Sequence, residues 1–570
     1  MAQYKYIKES SKILISLSPK NFEMKRFFFG IFITVILMLL VANCSQKTDT
    51  QRMEIRDDLL TYHRPISTPS DLAQKYFDQG MALYYGFNHE AAIQSFSETG
   101  SIDTSCAIAW WGQALAAGPN INNPSMDSSA SMFAYDAIQH ALKLIKNASP
   151  VEQDLIMALS QRYIWPMPED RTPLDSAYAE AMQEVYQKHP EDADVGALYA
   201  EALMDLRPWD LWQSNGTANP GTDKVVTTLE AILKKYPDHP GACHFYVHTM
   251  EASSTPEKAE KVADILRDRI PGAGHLVHMP AHIDIRTGKY GDAIAANQKA
   301  ILADKYWAPK GGFYTLYRAH NYHFLAYAAM FDGQKNLALE AAREMIDQIP
   351  IEMVLQFPDF LDGFIAVPIH VMVRFGMWPE LINTSKPAED LLVTTAFWHY
   401  GRTVAYAASG QVKEAEQELK LLKAAYNKIP ESRLIGNNTA RTVLKVGIPM
   451  AEGELEYRRG NYDLAYRLLE VAIARDDSLR YDEPWGWMMP VRHSLGALLL
   501  EQGHVSKAEQ VYRTDLKIHP ENGWALNGLI ECMHRENRHE EAEILQSRFD
   551  KAWARSDIRI KASCFCRTET

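Results

Sequence analysis

AQKYFDQGMALYYGFNHEAAIQSFSETGSIDTSCAIAWWGQAL, residues Ala73 to Leu115, is the stretch that decides the fold class. Its apolar residues recur at helical spacing, and the turn Gly86-Phe87-Asn88 separates two predicted helices. The second helix begins at His89 and places Ile93 and Phe96 on one face. The helix after it carries small and large residues in alternation, namely Ala109, Trp110, Gly112 and Ala114. The stretch therefore predicts antiparallel helices packed closely in series.

The same turn recurs along the chain as Gly-x-x-x-x-Ala. In each copy glycine ends one helix and alanine allows the next to pack closely. The copies are Gly288 to Ala293, Gly410 to Ala415, Gly460 to Ala465 and Gly503 to Ala508. Because one helix pair cannot bury its own apolar face, the pairs must stack. The prediction is an all-α, tetratricopeptide-like helical-hairpin solenoid, an α-α superhelix with roughly 70% helix. Two loops rich in Pro and Gly, 307–313 and 481–490, are expected to cover its concave face.

Composition narrows the function. The chain has 570 residues, with 59 Lys and Arg against 72 Asp and Glu and a net charge of −13. Nucleic acid is therefore not an expected partner, because phosphate binding needs a basic face. Hydrophobic residues make up 46% of the chain, which is ample for a packed core.

The N-terminus resembles an export signal. Met24-Lys25-Arg26 precedes an apolar run from Phe27 to Val41, which is short for a membrane span and typical of a signal peptide. Val41-Ala42-Asn43-Cys44 resembles a bacterial lipoprotein box. Residues 1–44 are thus predicted to be the lipoprotein signal region, with Met24 as the true start of the protein and Cys44 lipidated. An uncleaved membrane anchor is the alternative. The predicted location is the bacterial cell envelope, on a lipid-anchored membrane face.

The remaining boundaries follow from composition. Residues 45–68 are predicted to be a tether, and residues 69–555 a single superhelical domain with a histidine-rich segment at 239–323. Residues 556–570 are predicted to be a disordered tail. The six cysteines are scattered and indicate no disulfide framework.

Histidine is concentrated in the segment 239–323, which holds eight of the 19 histidines. On a helix, His244, His248 and Glu251 project within about 60° of one another. The three histidines of GHLVHMPAH form a second stripe of similar width, and RAHNYHF adds two more on a following helix. They are His275, His278 and His282 in the first motif, and His320 and His323 in the second. Stripes on neighbouring helices can converge on one groove.

Such convergence would suit a transition metal. Imidazole binds first-row metals, and a shell without thiolate favours Zn or Cu. Glu251 could be a ligand, a partner that fixes a histidine tautomer, or a general base. Pro280 interrupts the second stripe, and either kinks a helix or lies in the first turns of one that starts near Gly274. The alternatives to a metal site are an anion-binding or proton-coupled groove and a plain hydrogen-bonded network.

Two aromatic and charged segments are candidate walls of a ligand pocket. Stacking and ion pairing could close such a pocket, while a purely structural role is the alternative in both cases. One is LRPWDLW, with Arg207, Trp209, Asp210 and Trp212. The other contributes Tyr481, Glu483, Trp487 and Arg492.

Several of these motifs resemble a widespread bacterial family of exported tetratricopeptide-repeat proteins. The resemblance rests on HPGACHFYVHTMEAS (239–253), PGAGHLVHMPAHIDIRTGKYGDAI (271–294) and YDEPWGWMMPVRHSLGALLL (481–500). YYGFNHEAAIQSF, AWWGQALAAGPNINNP and LRPWDLW extend it toward the N-terminus. It implies the repeat fold and a shared histidine motif, and it implies no particular activity.

Two functions remain open at this stage. The first is an envelope lipoprotein that binds a transition metal, Cu or Zn, and that acts as a metal-dependent hydrolase or oxidoreductase if it is an enzyme. The second is a repeat scaffold that binds a protein or peptide in its concave groove, with histidines that are structural. The direction in which the histidines point discriminates between them.

Overall fold

The structure is a computed structural model that describes residues 52–307 and 312–567, and these residues are about 68% helical. The chain divides into two compact units, residues 1–53 and 54–570. The predicted signal segment and Cys44 lie outside the described residues, so both stay predictions. Among the residues described, no helix is long and apolar enough to cross a bilayer.

In the N-terminal half, the described residues form thirteen helices that run in series. They are α1 Asp71–Tyr85, α2 His89–Ile102, α3 Ala107–Ala116, α4 Ser128–Leu144, α5 Pro150–Ser160, α6 Thr172–Lys188, α7 Ala193–Asp205, α8 Thr222–Lys235, α9 Pro240–Glu251, α10 Glu260–Leu266, α11 Gly274–His278, α12 Pro280–Thr287 and α13 Tyr290–Asp304. Short 3-10 turns occur at Asp57–Leu59, Ile145–Asn147 and Pro256–Ala259.

From residue 312 to residue 567 the structure describes fourteen further helices. They are α14 Tyr314–Phe331, α15 Lys335–Gln348, α16 Ile351–Gln356, α17 Pro358–Leu361, α18 Val367–Arg374, α19 Trp378–Ile382, α20 Leu392–Ala408, α21 Val412–Tyr426, α22 Ala440–Arg458, α23 Tyr462–Asp476, α24 Val491–Glu501, α25 Val505–Ile518, α26 Gly523–Arg535 and α27 His539–Ala552. A 3-10 turn spans Asp362–Ala366. A two-stranded antiparallel ribbon, β1 Leu434–Ile435 and β2 Asn438–Thr439, precedes α22.

The first three helices explain the small and large pattern in the opening stretch. Phe96 of α2 is fully buried. A Cβ atom at Gly80 would lie 2.5 Å from its ring, and one at Gly112 would lie 2.7 Å from it. The ring therefore occupies space that only glycine leaves free on α1 and α3, and the three helices pack closely around it. The predicted helical-hairpin solenoid is confirmed.

The repeat turns use glycine for its backbone conformation. Gly410, Gly460 and Gly503 have φ of 75°, 80° and 80°, a region that L residues rarely adopt. A Cβ at any of the three would have no neighbour within 4 Å. Glycine is thus needed there to reverse the chain, and the space around it is open.

Both ends of the repeat domain pack back onto its middle. The Trp524 indole Nε1 donates to the Met330 carbonyl at 2.9 Å, although 194 residues separate them. On the N-terminal side, the Gly272 amide donates to the carbonyl of Asp58 at 3.2 Å. As a result, both ends contact the part of the domain that carries the histidines, at Gly272 and on α14.

The predicted disordered tail is wrong for residues 556–567. Asp557 accepts backbone N–H bonds from Lys335 and Asn336 at 2.7 and 2.9 Å, and so caps the start of α15. Cys566 is buried, and it forms a disulfide with Cys564, a pairing that the sequence did not indicate. The sequence of this segment is mostly polar, so it did not indicate that the few apolar side chains pack against the domain.

The segment GHLVHMPAH forms two short helices in line. α11 ends at His278, Met279 continues in helical conformation, and Pro280 is the first residue of α12. Proline is tolerated at this position because the first amide of a helix has no intrahelical partner. The proline therefore separates two helices while the backbone between them stays helical.

Candidate functional site

Six buried or half-buried histidines from four helices converge in the middle of the domain. We refer to them as the histidine cluster. α9 supplies His244 and His248, α11 supplies His275 and His278, α12 supplies His282, and α14 supplies His320. All but His320 are at most 5% exposed. The convergence of the two stripes, which the spacing predicted, is present in the structure.

The glycines of the two histidine motifs bring these helices together. A Cβ at Gly241 of α9 would lie 2.3 Å from the ring of Tyr85, at the end of α1. A Cβ at Gly274 of α11 would lie 2.0 Å from a carboxylate oxygen of Asp304. Only glycine allows these approaches, so HPGA and PGAG are docking motifs for the helices that carry the histidines.

The first half of the cluster is triad A, formed by His244, His248 and His275. One nitrogen from each lies within 4.8 Å of the other two. The Nε2 atoms of His244 and His275 are 3.1 Å apart, close to the roughly 3.3 Å between two imidazole nitrogens on a tetrahedral zinc ion. The Nε2 of His248 is buried without a hydrogen-bond partner. Triad A is thus compact enough to be a candidate ligand set, and its closest pair of nitrogens is also at hydrogen-bond distance.

The second half is triad B, formed by His278, His282 and His320, again within 4.8 Å. Asn297 donates its amide N–H to the Ala293 carbonyl at 2.8 Å, so its Oδ1 accepts from the Nδ1–H of His278 at 2.7 Å. His282 likewise donates its Nδ1–H to Glu251. A neutral imidazole carries one N–H, so both Nε2 atoms are then acceptors.

These two acceptor nitrogens face each other. The Nε2 atoms of His278 and His282 are 2.6 Å apart, which is hydrogen-bond distance without a hydrogen between them. Two lone pairs at this distance repel each other unless a cation lies between or beside them. An additional proton fits this separation directly, whereas a metal ion would require the two rings to move apart toward the roughly 3.3 Å between two nitrogens on a tetrahedral zinc ion.

Burial disfavours the proton. Loss of hydration and repulsion from neighbouring histidines lower the pKa of four of the six rings well below the ordinary value of 6.5. These are His244, His275, His278 and His320. Burial also lowers the pKa of His282, although attraction to Glu251 opposes it. Neutral imidazole is the form that binds metals.

Glu251 joins the two triads. Its Oε1 accepts from the Nδ1–H of His248 of triad A at 2.7 Å, and its Oε2 accepts from His282 of triad B. Burial alone would raise the pKa of this carboxyl, but attraction to His282 and hydrogen bonds from Glu483 and His248 hold it well below the usual range. A single carboxylate therefore orients one ring of each triad with its Nε2 directed away from the carboxylate.

Glu483 belongs to the cluster, although the sequence placed it in a pocket wall. Its carboxyl contacts the Nδ1 of His282 and hydrogen-bonds to Glu251. Burial and the negative charge of Glu251 raise the pKa of Glu483 well above its usual value. These opposite shifts of pKa favour a proton on Glu483 over one on Glu251. The loop at 481–490 was predicted to cover the concave face, and it brings this carboxyl onto the histidines.

Two predicted site residues lie elsewhere. His323 is 6% exposed, its ring packs against Phe364, and neither of its nitrogens has a hydrogen-bond partner. Its 60° offset from His320 on α14 turns it away from both triads. Trp487 is a core residue whose ring contacts Tyr400 and His370, so its prediction as a pocket residue is wrong.

A cavity of about 670 Å³ adjoins triad A at His248. Six of the sequence-predicted pocket residues line it: Arg207, Trp209, Asp210, Trp212, Tyr481 and Arg492. The edge of Trp209 contacts the ring of His248 with centroids 5.6 Å apart. The Trp212 indole donates to the Thr249 carbonyl at 2.6 Å and fixes this wall to α9. The two segments, distant in sequence, therefore form one cavity beside the histidines.

Sequence reasoning missed several residues of the site. Phe87, in the first repeat turn, has φ of 53° and contacts the ring of His244 at 4.6 Å between centroids. Tyr317 contacts His275 at 4.9 Å, and Asn297 orients His278. The positive φ of Phe87 and the contact of Asn297 carry no local sequence signal, because each depends on how distant helices meet.

Comparisons with known proteins show no family for this chain. A scan against protein families finds no match, and neither does a search of curated proteins. Among solved structures, the human IFIT1 dimer with m7Gppp-AAAA is 13% identical over 88% of this chain and 97% of its own, with a TM-score of 0.31. Yeast Tom70 is 12% identical over 85% and 92%, with a TM-score of 0.26. The helix pairs described above define this chain as an all-α solenoid of the tetratricopeptide type.

Proposed function

We propose that this protein is a metal-binding helical-repeat protein whose histidine cluster holds one or two first-row transition-metal ions. The observation that carries the proposal is the convergence of two buried histidine triads, in each of which one nitrogen from every ring lies within 4.8 Å of the other two. In triad B, the Nδ1 of His278 and that of His282 are each occupied by an acceptor, Asn297 or Glu251. Two acceptor nitrogens in a site that disfavours extra protons are the arrangement that a metal ion stabilises.

The surroundings of the ligands support the same function. In metal sites, the ligating histidine usually donates its other N–H to a carboxylate or carbonyl oxygen, which fixes the tautomer. His248, His278 and His282 all follow this pattern. A buried histidine network without a metal would be expected to pair the Nε2 of His248, which has no hydrogen-bond partner among the described residues.

The donor set favours Zn or Cu. Imidazole nitrogen and carboxylate oxygen are available within the cluster, and no thiolate belongs to either triad. Two triads joined by Glu251 provide for two ions. As part of this proposal the protein acts at the bacterial cell envelope, anchored by a lipid on Cys44. Catalysis, whether hydrolytic or oxidative, would require a substrate to reach the metal, and the cavity at His248 is the route.

Elemental analysis of protein purified without chelator tests the proposal. The variants are His244→Ala/His278→Ala, which removes one ligand from each triad, and His370→Ala/His399→Ala, which removes two buried histidines outside the cluster. We expect one or two equivalents of Zn or Cu in the wild type and in the control, and less than a tenth of that in the first variant.

A third variant guards against misfolding. His320→Ala alters the half-buried member of triad B, where the loss of packing is smallest. It should reduce the metal content while circular dichroism stays unchanged. Wild-type protein that holds no metal after reloading with Zn and Cu would overturn the proposal, and the cluster would then be a polar network within a scaffold.

A further inference from the structure

The cavity beside triad A has a charge opposite to that of the whole protein. Five basic side chains line it, and they are Arg207, Arg286, Arg480, Arg492 and Lys517. Three acidic residues, Asp210, Asp476 and Asp477, also line it. Burial and repulsion from Asp477 raise the pKa of Asp476 to about 8. A basic cavity in a chain of net charge −13 indicates a ligand with negative charge.

Most of the other charges are already paired. Arg207 forms an ion pair with Asp210 at 2.8 Å, and Arg492 forms a bidentate pair with Asp477 at 2.6 and 2.7 Å. Arg286 differs from both. Its two Nη atoms donate to the carbonyls of Glu251 and Ser253, and its Nε is buried without a hydrogen-bond partner. Within the described part of the chain, no carboxylate neutralises it.

Aromatic rings provide the rest of the cavity surface. Trp209, Trp212, Tyr481 and Trp485 line it, and each is partly exposed. The guanidinium of Arg286 lies 5.6 Å from the ring centroids of both Tyr481 and Trp485. Such rings stack on planar groups. The faces of tryptophan and tyrosine rings also attract a cation such as the Arg286 guanidinium. The cavity volume, about 670 Å³, is that of a small-molecule site.

We propose that this cavity binds a small organic anion with a planar aromatic body, whose carboxylate pairs with Arg286. This inference rests on the proposed function, because the bound molecule would lie beside His248 and the metal. Each Nη atom of Arg286 already donates one N–H to a carbonyl, so it has a second N–H to give. A carboxylate suits the site because it can accept from these remaining N–H groups. The indole rings of Trp209 and Trp212 would accept the planar body.

Calorimetric titration with 2-naphthoate tests this inference. Its neutral isostere 2-naphthamide reports the contribution of the charge, and decalin-2-carboxylate reports that of the planar body. We expect 2-naphthoate to bind at least tenfold more tightly than either comparison compound. Arg286→Met should weaken naphthoate binding at least tenfold and leave naphthamide binding unchanged.

A matched control comes from another arginine. Arg402 lies 4.6 and 5.2 Å from the rings of Trp398 and Tyr406, outside the cavity. Arg402→Met should leave naphthoate affinity unchanged. If Arg286→Met fails to fold, Trp209→Leu replaces it, and that variant should lose the preference for naphthoate over decalin-2-carboxylate. Equal binding of naphthoate and naphthamide, or no heat from naphthoate at millimolar concentration, would overturn the inference.

The titration is run on chelator-treated and on metal-loaded protein, so the two proposals can fail separately. Naphthoate binding by protein that takes up no metal would leave the anion site standing and reject the metal centre. Metal uptake without naphthoate binding would give the opposite result.

Discussion

Replacing Glu251 by glutamine tests how the two triads are joined. The carboxylate accepts an N–H from His248 and another from His282. A glutamine oxygen can accept only on one side, because its amide nitrogen is a donor and would face the N–H of the other ring. One ring therefore loses its orientation, although the substitution hardly changes the volume.

Loss of such a supporting hydrogen bond typically reduces metal affinity about 10- to 100-fold. A metal present at 100 times its Kd stabilises the folded protein by about 2.7 kcal/mol. A Kd weakened 10- or 100-fold would reduce this to about 1.4 or about 0.4 kcal/mol at the same metal concentration. The assay is denaturant unfolding with Zn or Cu and after chelation, so the difference isolates the metal contribution.

The control is Glu418→Gln. Glu418 accepts from His399 Nδ1 at 2.6 Å and from Arg402 at 2.8 Å, in a buried pair distant from the cluster. This variant should keep the full metal-dependent stabilisation even if its chelated form is less stable. Wild-type metal dependence in Glu251→Gln, or an equal loss in Glu418→Gln, would refute this role for Glu251.

Three further predictions follow from other parts of the molecule. Burial lowers the pKa of His370 to about 3 in the folded protein against 6.5 for the free side chain. The unfolded chain thus binds the extra proton first, and the free energy of unfolding should fall by up to about 1.4 kcal/mol per pH unit as pH drops from 6.5 toward 3; His370→Leu should flatten this slope in acid titrations of stability. Gly460→Ala forces a side chain into φ of 80° and should cost about 1–2 kcal/mol in chemical denaturation, with no compensating contact; an unchanged midpoint would contradict that. Cys44→Ser should abolish incorporation of labelled fatty acid and release the protein from the membrane fraction, whereas Cys106→Ser should not.

The sequence alone predicted the helical repeats because their determinants are local. Turn glycines such as Gly410 and Gly503, and the glycine and aromatic pattern around Phe96, recur at short spacing. Each is needed within one helix pair, so it can be recognised without knowledge of the rest of the chain. The same holds for the histidine stripes on α9 and on the α11 and α12 pair, whose projection depends only on helix geometry.

The site was less predictable where it depends on distant parts of the chain. His323 has the same local signal as His320, yet the packing of α14 turns it toward Phe364. Glu483 and Trp487 lie four residues apart in one loop, and only the fold sends the first to the histidines and the second to the core. Short-range pattern cannot separate such neighbours, because their burial depends on which helices the loop covers.

What the sequence by itself determined is the fold class and which histidines share a helix face, since both follow from periodicity within about 40 residues. Tertiary structure decided that Glu251 bridges two triads and that Tyr481, 230 residues away in sequence, approaches Glu251 together with Glu483. It also decided that LRPWDLW and Tyr481 line one cavity. The physical reason is that a solenoid has no sequence signal for its closure. The curvature of a solenoid depends on small differences in packing summed over many repeats. The contacts that complete the site form only where segments about 200 residues apart in sequence meet.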